Sequence, residues 1–178
     1  MSSVFGPIRQ IGFMSRDIDR SMRHFVDTWG VGPWYVLRNL PIPMRYKGEQ
    51  TDLVVSIAMA NCGDLQLEIV MQHNDAPSLY RDSLARTPDL HVQHVAVWAE
   101  DPAAVEAGAR EKGWRSVFET LAPPGRSVFM IHPDAPEVCI EVSDCDPFKD
   151  TARDAIKQIA STWDGTEPVR DGLPNAPE

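Results

Sequence analysis

The sequence spells one supersecondary unit twice. Gln10 and His94 stand 84 positions apart, Asp17 and Asp101 again 84, and Gly30 and Gly113 83. Each copy reads as a short strand, an acidic residue at a helix N-cap, a helix and a glycine stop. In the first copy Asp17 caps a helix whose apolar residues Ile18, Met22, Phe25 and Trp29 recur at helical spacing. In the second, Asp101 precedes Pro102, which suits the first helical position because its missing N–H has no partner there anyway, and Ala104, Val105 and Ala109 make a thinner apolar face. Three β-rich runs follow each helix: "PWYVLR", "TDLVVSIAMA" and "DLQLEIVM", then "WRSVFE", "RSVFMIH" and "PEVCIEVS". Both halves therefore spell βαβββ. Such a unit does not bury its sheet alone, so the two copies are expected to pair in one α+β domain.

The boundaries follow from this pattern. The first module covers residues 1–73, a linker helix 74–90, and the second module 91–145. A terminal helix at 146–163 has Asp146 as its cap and Pro147 in its first turn, and the proline-containing segment 164–178, without periodicity, reads as a mobile tail.

Strand alternation decides which side chains meet. In the first strand Ile11 and Phe13 point to the helix, leaving Gln10 with Gly12 and Met14 on the other face. In the matching strand Val95 and Val97 point to the helix, leaving His94 with Ala96 and Trp98. The last strand of each module places a carboxylate opposite its apolar face: Glu68 opposite Leu65, Leu67, Ile69 and Met71, and Glu141 opposite Val138, Ile140 and Val142. A carboxylate within a β run is costly to bury unless it is paired or metal-bound. Here that happens at matching places in two copies. If the modules curl into one cup, Gln10, Glu68, His94 and Glu141 converge at its floor. One nitrogen and three oxygens suit a divalent ion with open positions better than a closed tetrahedral thiolate site does.

These residues resemble the vicinal oxygen chelate superfamily, which includes glyoxalase I and methylmalonyl-CoA epimerase. "IGFMSRDIDRSMRHF" is similar to its opening strand and helix, "LQLEIVMQ" with "PSLYRDSL" to an epimerase-type strand and linker, "LHVQHVAVW" to the strand carrying a ligand histidine, and "VCIEVSD" to the closing strand; the match spans about residues 7–144. The resemblance implies an open, cup-shaped barrel, followed here by the C-terminal helix. It implies one divalent ion (Zn, Ni, Co, Mn or Fe) on Gln10, Glu68, His94 and Glu141. Many relatives have His where this chain has Gln10, although some glyoxalases use a Gln/Glu/His/Glu set; an amide is the weaker ligand. The implied chemistry is lyase, isomerase or epimerase action on a small α-oxygenated carbonyl compound through an enolate or enediolate. In it Glu141 is the base and Glu68 its partner on the opposite face. A homodimer is implied as well, while a cytoplasmic location is expected from the odd, unpaired cysteines Cys62, Cys139 and Cys145.

Two alternatives stay open: a metal-free small-molecule binding protein of the same fold, and a ring-cleaving dioxygenase. The latter uses two histidines and a carboxylate, and His91 would face away from His94 on a regular strand. Substrate contacts are expected from Trp34 and Trp98 as aromatic walls, from His132 at a strand end, and from Arg126, whose guanidinium suits a carboxylate or phosphate. Each has a plainer role available, in the core or on the surface.

Composition narrows the partners. A formal charge of -9 over 178 residues argues against nucleic-acid binding, no apolar run reaches the roughly 18 residues of a membrane span, and no basic cluster stands ready for a nucleotide tail. Cys62, Cys139 and Cys145 lack metal-type spacing and read as free thiols, the two in apolar runs being buried.

Overall fold

The computed structural model describes residues 4–121 and 125–174. The first module comprises β1 (Gln10–Met14), α1 (Ile18–Trp29), β2 (Trp34–Tyr46), β3 (Glu49–Cys62) and β4 (Leu65–Gln72). Helix α2 (Leu79–Arg86) links it to β5 (His91–Ala99), α3 (Pro102–Glu111), β6 (Arg115–Thr120), β7 (Ser127–His132) and β8 (Ala135–Asp144). Helix α4 (Pro147–Ser161) and a short β9 (Val169–Asp171) complete the chain.

The caps expected from the sequence are formed. The Asp17 carboxylate accepts from the Arg20 backbone N–H at 2.9 Å, Asp101 from Ala104 at 2.9 Å and Asp146 from Phe148 at 3.0 Å. Helix α1 ends at Gly30 in the left-handed region (φ 67°). Trp29, expected on its apolar face, is instead 62% exposed, because Ile18, Ser21, Met22 and Phe25 already fill the contact with the sheet.

Within each module the first strand lies parallel to the last, so the strand orders β1-β4-β3-β2 and β5-β8-β7-β6 are equivalent. Two antiparallel seams join them: β1 with β5, and the end of β2 (Met44–Tyr46) with β6. The eight strands thus form a barrel whose second seam is short. Strand β9 pairs parallel with the start of β2 (Trp34–Val36), so part of the expected tail is an edge strand, while 175–178 lie outside the described residues. Among the described residues no strand pairs with this edge of β2 between Val36 and Met44. Pro43, which accepts from Leu121 N on that edge, and Pro41 have no ladder donor to lose there.

Apolar burial falls into three clusters. One packs α1 against β3 and β4 through Ile18, Met22, Phe25, Trp34, Leu67 and Ile69. Another packs α3 against the second module through Ala109, Val97, Met130 and Val142. The third lies inside the barrel, where Tyr80 of α2 meets Phe118 and Phe129. Burying each such side chain stabilises the fold by about 1.5–3 kcal/mol. Cys139 is buried, whereas Cys62 is exposed, which corrects the expectation for that thiol; Cys145 is exposed too. No described helix is long and apolar enough to cross a membrane.

Candidate metal centre in the cup

The parallel pairing of first and last strand brings the site together. Register sets Gly12 beside Glu68 on one side and opposite His94 across the seam; in the second module Ala96 stands beside Glu141. Directly paired residues share a face of the sheet. His94 therefore reaches over Gly12 towards both carboxylates. A Cβ built on Gly12 would lie 1.9 Å from the ring's Cε1, so only glycine leaves room for this imidazole.

His94 Nε2 lies 3.2 Å from Glu141 Oε2 and 3.4 Å from Glu68 Oε2, and the three ligand atoms fall within 4.8 Å of one another. The nitrogen is buried, and neither carboxylate is aligned to hydrogen-bond it. The other ring nitrogen, Nδ1, lies 2.7 Å from Gln93 Oε1, to which it donates in the tautomer that leaves an Nε2 lone pair facing the carboxylates. An outer partner of this kind is the usual way a metal-binding histidine is oriented. Phe129 packs edge-on against the ring at 5.2 Å between centroids.

Electrostatics says the same from the other side. Burial opposes charging of His94, but Glu141 and Glu68 outweigh it and raise the pKa to about 9. Burial pushes the Glu141 carboxyl up, yet His94 and the Ser127 hydroxyl hold it below the ordinary carboxylate range. The two acids thus demand a cation at this point, either a proton on His94 or a metal ion. A buried imidazole nitrogen without an aligned partner, flanked by carboxylates, fits a divalent ion of intermediate hardness.

Gln10 also faces the cup, buried on β1. Its Nε2 donates to Gln66 Oε1 at 2.8 Å, leaving the Gln66 Nε2 buried without a partner among the described residues. Glu68, His94 and Glu141 are thus brought together, and Gln10 stands beside them, its amide turned to Gln66.

The cup encloses about 370 Å³. Gln10, Gln66, Glu68 and Glu141 lie at its floor, and β2 and β3 supply mainly apolar walls. Tyr80 also lines it as a neutral phenol, its pKa driven well up by burial and by Glu68 and Glu141. Helix α4 lies over the cup and contributes Phe148, Lys149, Arg153 and Ile156.

The expected substrate contacts are distributed differently. Trp34 is wholly buried beneath α1 against Phe25, its indole N–H donating to Val31 O, so it belongs to the core and not the mouth. Trp98 does share the face of His94, but it supports the Arg153 guanidinium, 4.1 Å above its ring, and does not line the cavity. His132 is held on the far side of the second module, against Trp114 and the Lys112 carbonyl. Arg126 pairs with Glu106 at 2.8 Å and Glu119 at 3.2 Å, outside the cup. His91 differs as well. A β-bulge leaves Gln93 unpaired between Val92 and His94, which reverses the strand's alternation and sets His91 opposite Met14. Its ring is held by Ser83 (2.6 Å) and Pro88 O (2.7 Å), so among the described residues His94 is the one imidazole at the carboxylates.

Sequence reasoning passed over Gln93, Gly12, Lys149 and Arg153. A glycine inside a strand facing a histidine-bearing strand was a usable sign of close approach. Nothing local signalled the bulge or the position of α4.

Comparison with known proteins agrees with this architecture. A methylmalonyl-CoA epimerase crystal structure is similar at 24% identity and a TM-score of 0.52, over 81% of this chain and 98% of that one. The epimerase of Mycobacterium tuberculosis matches at 18% and 0.57, over 85% and 96%. A Streptomyces coelicolor epimerase variant in complex with 2-nitronate-propionyl-CoA matches at 20% and 0.53, over 77% and 92%. These likenesses establish a shared fold. A search of curated protein sequences finds no match. The profile of the glyoxalase/bleomycin resistance protein/dioxygenase superfamily matches residues 9–131, most of both modules, and the chain belongs to that family.

Proposed function

We propose that this protein is a metal-dependent isomerase, epimerase or lyase acting beside the carbonyl of a small α-oxygenated substrate. Glu68, His94 and Glu141 would hold one divalent ion (Zn, Ni, Co, Mn or Fe), with Gln10 as a fourth donor. The observation that carries this reading is the buried Nε2 of His94, directed between two carboxylates while Nδ1 is engaged by Gln93. When bound, the ion supplies Lewis acidity to the substrate oxygens, which stabilises an enolate.

The chain's own groups do the rest. Glu141, held ionised despite its burial, takes the proton from the α carbon. Glu68, from the other module, faces the opposite side of the carbon and, once it has taken a proton from solvent, returns it there, while Glu141 releases its own to solvent. Apolar walls from β2 and β3 keep water from the reacting carbon. A homodimer, implied by the family, is part of the proposal but not of the chemistry.

One observation favours a second reading, a metal-free binding protein. With its pKa near 9, a protonated His94 would ion-pair with both carboxylates without a metal. Metal analysis of protein purified without added ions separates the two. About one equivalent is expected; no metal, together with no uptake of added Co(II) or Ni(II), leaves the ion-paired form. On a substrate found by screening α-hydroxy carbonyl compounds, Glu141→Gln should lower kcat by roughly 10²–10⁴-fold with little change in the unfolding temperature. Wild-type rates in that variant exclude Glu141 as the base.

A further inference from the structure

Helix α4 follows the two modules, yet it furnishes one side of the cup and brings two cations with it. Lys149 and Arg153 both line the cavity, with side chains only 19% and 10% exposed. Long cationic side chains are rarely held so far from water unless their donors have work there.

Their hydrogen bonds do not account for those donors. Lys149 carries three N–H groups and Arg153 five. Lys149 reaches Asp144 Oδ1 (2.7 Å) and Ser143 Oγ (3.2 Å). Arg153 reaches the Asp144 carbonyl (3.3 Å), Asp150 Oδ1 (2.8 Å) and Ser143 Oγ (3.1 Å). That makes five contacts for eight N–H groups. Ser143 Oγ is moreover shared, since Ser127 Oγ also approaches it at 3.2 Å, and a hydroxyl oxygen has two lone pairs for three would-be donors. The guanidinium is fixed by Trp98 beneath it and Asp150 beside it, so its remaining edge is preorganised.

The same groups connect to the centre. Ser127 and Ser143 line the cup together with Glu141, and Ser127 Oγ lies 3.2 Å from the Ser143 Oγ that both cations reach. Polar side chains therefore share one region of the cup with Glu141 and the two cations, while β2 and β3 supply its apolar walls.

We propose that Lys149 and Arg153 are the recognition site for a carboxylate of the substrate. The substrate class is then a small α-oxygenated carbonyl compound that also carries a carboxylate, with a hydrocarbon or aromatic body. Its carboxylate meets the cations of α4, and its body lies against Phe148, Ile156 and the β2 wall. A planar two-oxygen anion suits the guanidinium fork, and the cup has room for a small organic body beside it. The inference rests on the metal-centre reading only for where the reacting end lies.

The test is calorimetric titration of the full chain, zinc-loaded and chelator-stripped, with three matched pairs: mandelate and mandelamide, 3-phenyllactate and its amide, 2-hydroxyisovalerate and its amide. At least one acid should bind tenfold or more tightly than its amide in both preparations. Lys149→Met with Arg153→Met should bring that ratio near one while zinc uptake is unchanged. Should the double variant fail to fold, Lys149→Met alone should cut the preference at least threefold. No preferred acid, or a preference that persists in the folded variants, overturns the proposal. Acid preference without zinc uptake refutes the metal-centre reading and leaves this one standing; zinc uptake without acid preference does the reverse.

Discussion

The two modules share a backbone plan and differ at the residues that matter most. Glu68 and Glu141 are equivalent, each on the last strand beside a small residue, Gly12 or Ala96, of the first. Gln10 and His94 are likewise equivalent, yet His94 crosses the seam over Gly12 to the carboxylates, whereas Gln10, opposite Ala96, binds Gln66. The residue matching Gln66 in the second module is Cys139, whose thiol is pushed up to about 12 by burial and by Glu141, so it stays neutral. One half of the cup thus offers a titratable ring held by a bulge, and the other an amide pair. The duplication set which positions face the cup floor, and single side chains decided which of them come together there.

Four measurements sharpen or break this asymmetry. The largest effect is expected from Gly12→Ala. Its methyl would occupy the space of the His94 ring, so Co(II) binding, followed by its visible absorbance, should fall by two orders of magnitude or more, on the order of 3 kcal/mol. The equivalent Ala96→Gly should leave it within a few-fold. Next, Gln93→Leu removes the group that orients Nδ1 and should weaken the metal by roughly 10–100-fold. An unchanged affinity would show that the bulge has no part in the site.

The third measurement uses pH. With the His94 pKa near 9, metal must displace a proton at lower pH, so apparent affinity should rise about tenfold per pH unit up to about 9 and level off above it. In metal-free protein the sign is reversed. The folded pKa lies above the unfolded value of 6.5, so the ion-pair stabilisation is complete below 6.5 and is lost as pH rises through 9. Chemical denaturation at pH 6.5 and 9 should show this drop; a flat profile in both experiments breaks the account of His94. The smallest effect is that of Gln10→His, which makes the two halves alike. It should strengthen metal binding by about tenfold, or 1.4 kcal/mol, if the first module contributes a ligand at all.

Much of this was legible beforehand. The spacing of Asp17 and Asp101 gave both helix starts, and the alternation around Glu68 and Glu141 put both carboxylates on the face opposite the helices, where the structure has them. Alternation is a property of one strand and is carried by local sequence. It failed where a neighbour intervened. Gln93 bulges because β1 and β5 pair as they do, and that reverses His91. Trp34 looked like a wall of the cup because its burial beneath α1 depends on a helix packing across two other strands.

By itself, then, the sequence determined two βαβββ units, their capped helices and three of the groups that meet at the cup floor, because periodicity and capping are short-range properties. Only the tertiary structure decided that Gly12 makes room for His94, that Gln93 turns its ring, and that Lys149 and Arg153 come down over the cavity. Those facts rest on register across a seam and on the docking of a distant helix, and free energies of packing between remote segments leave no local pattern to read.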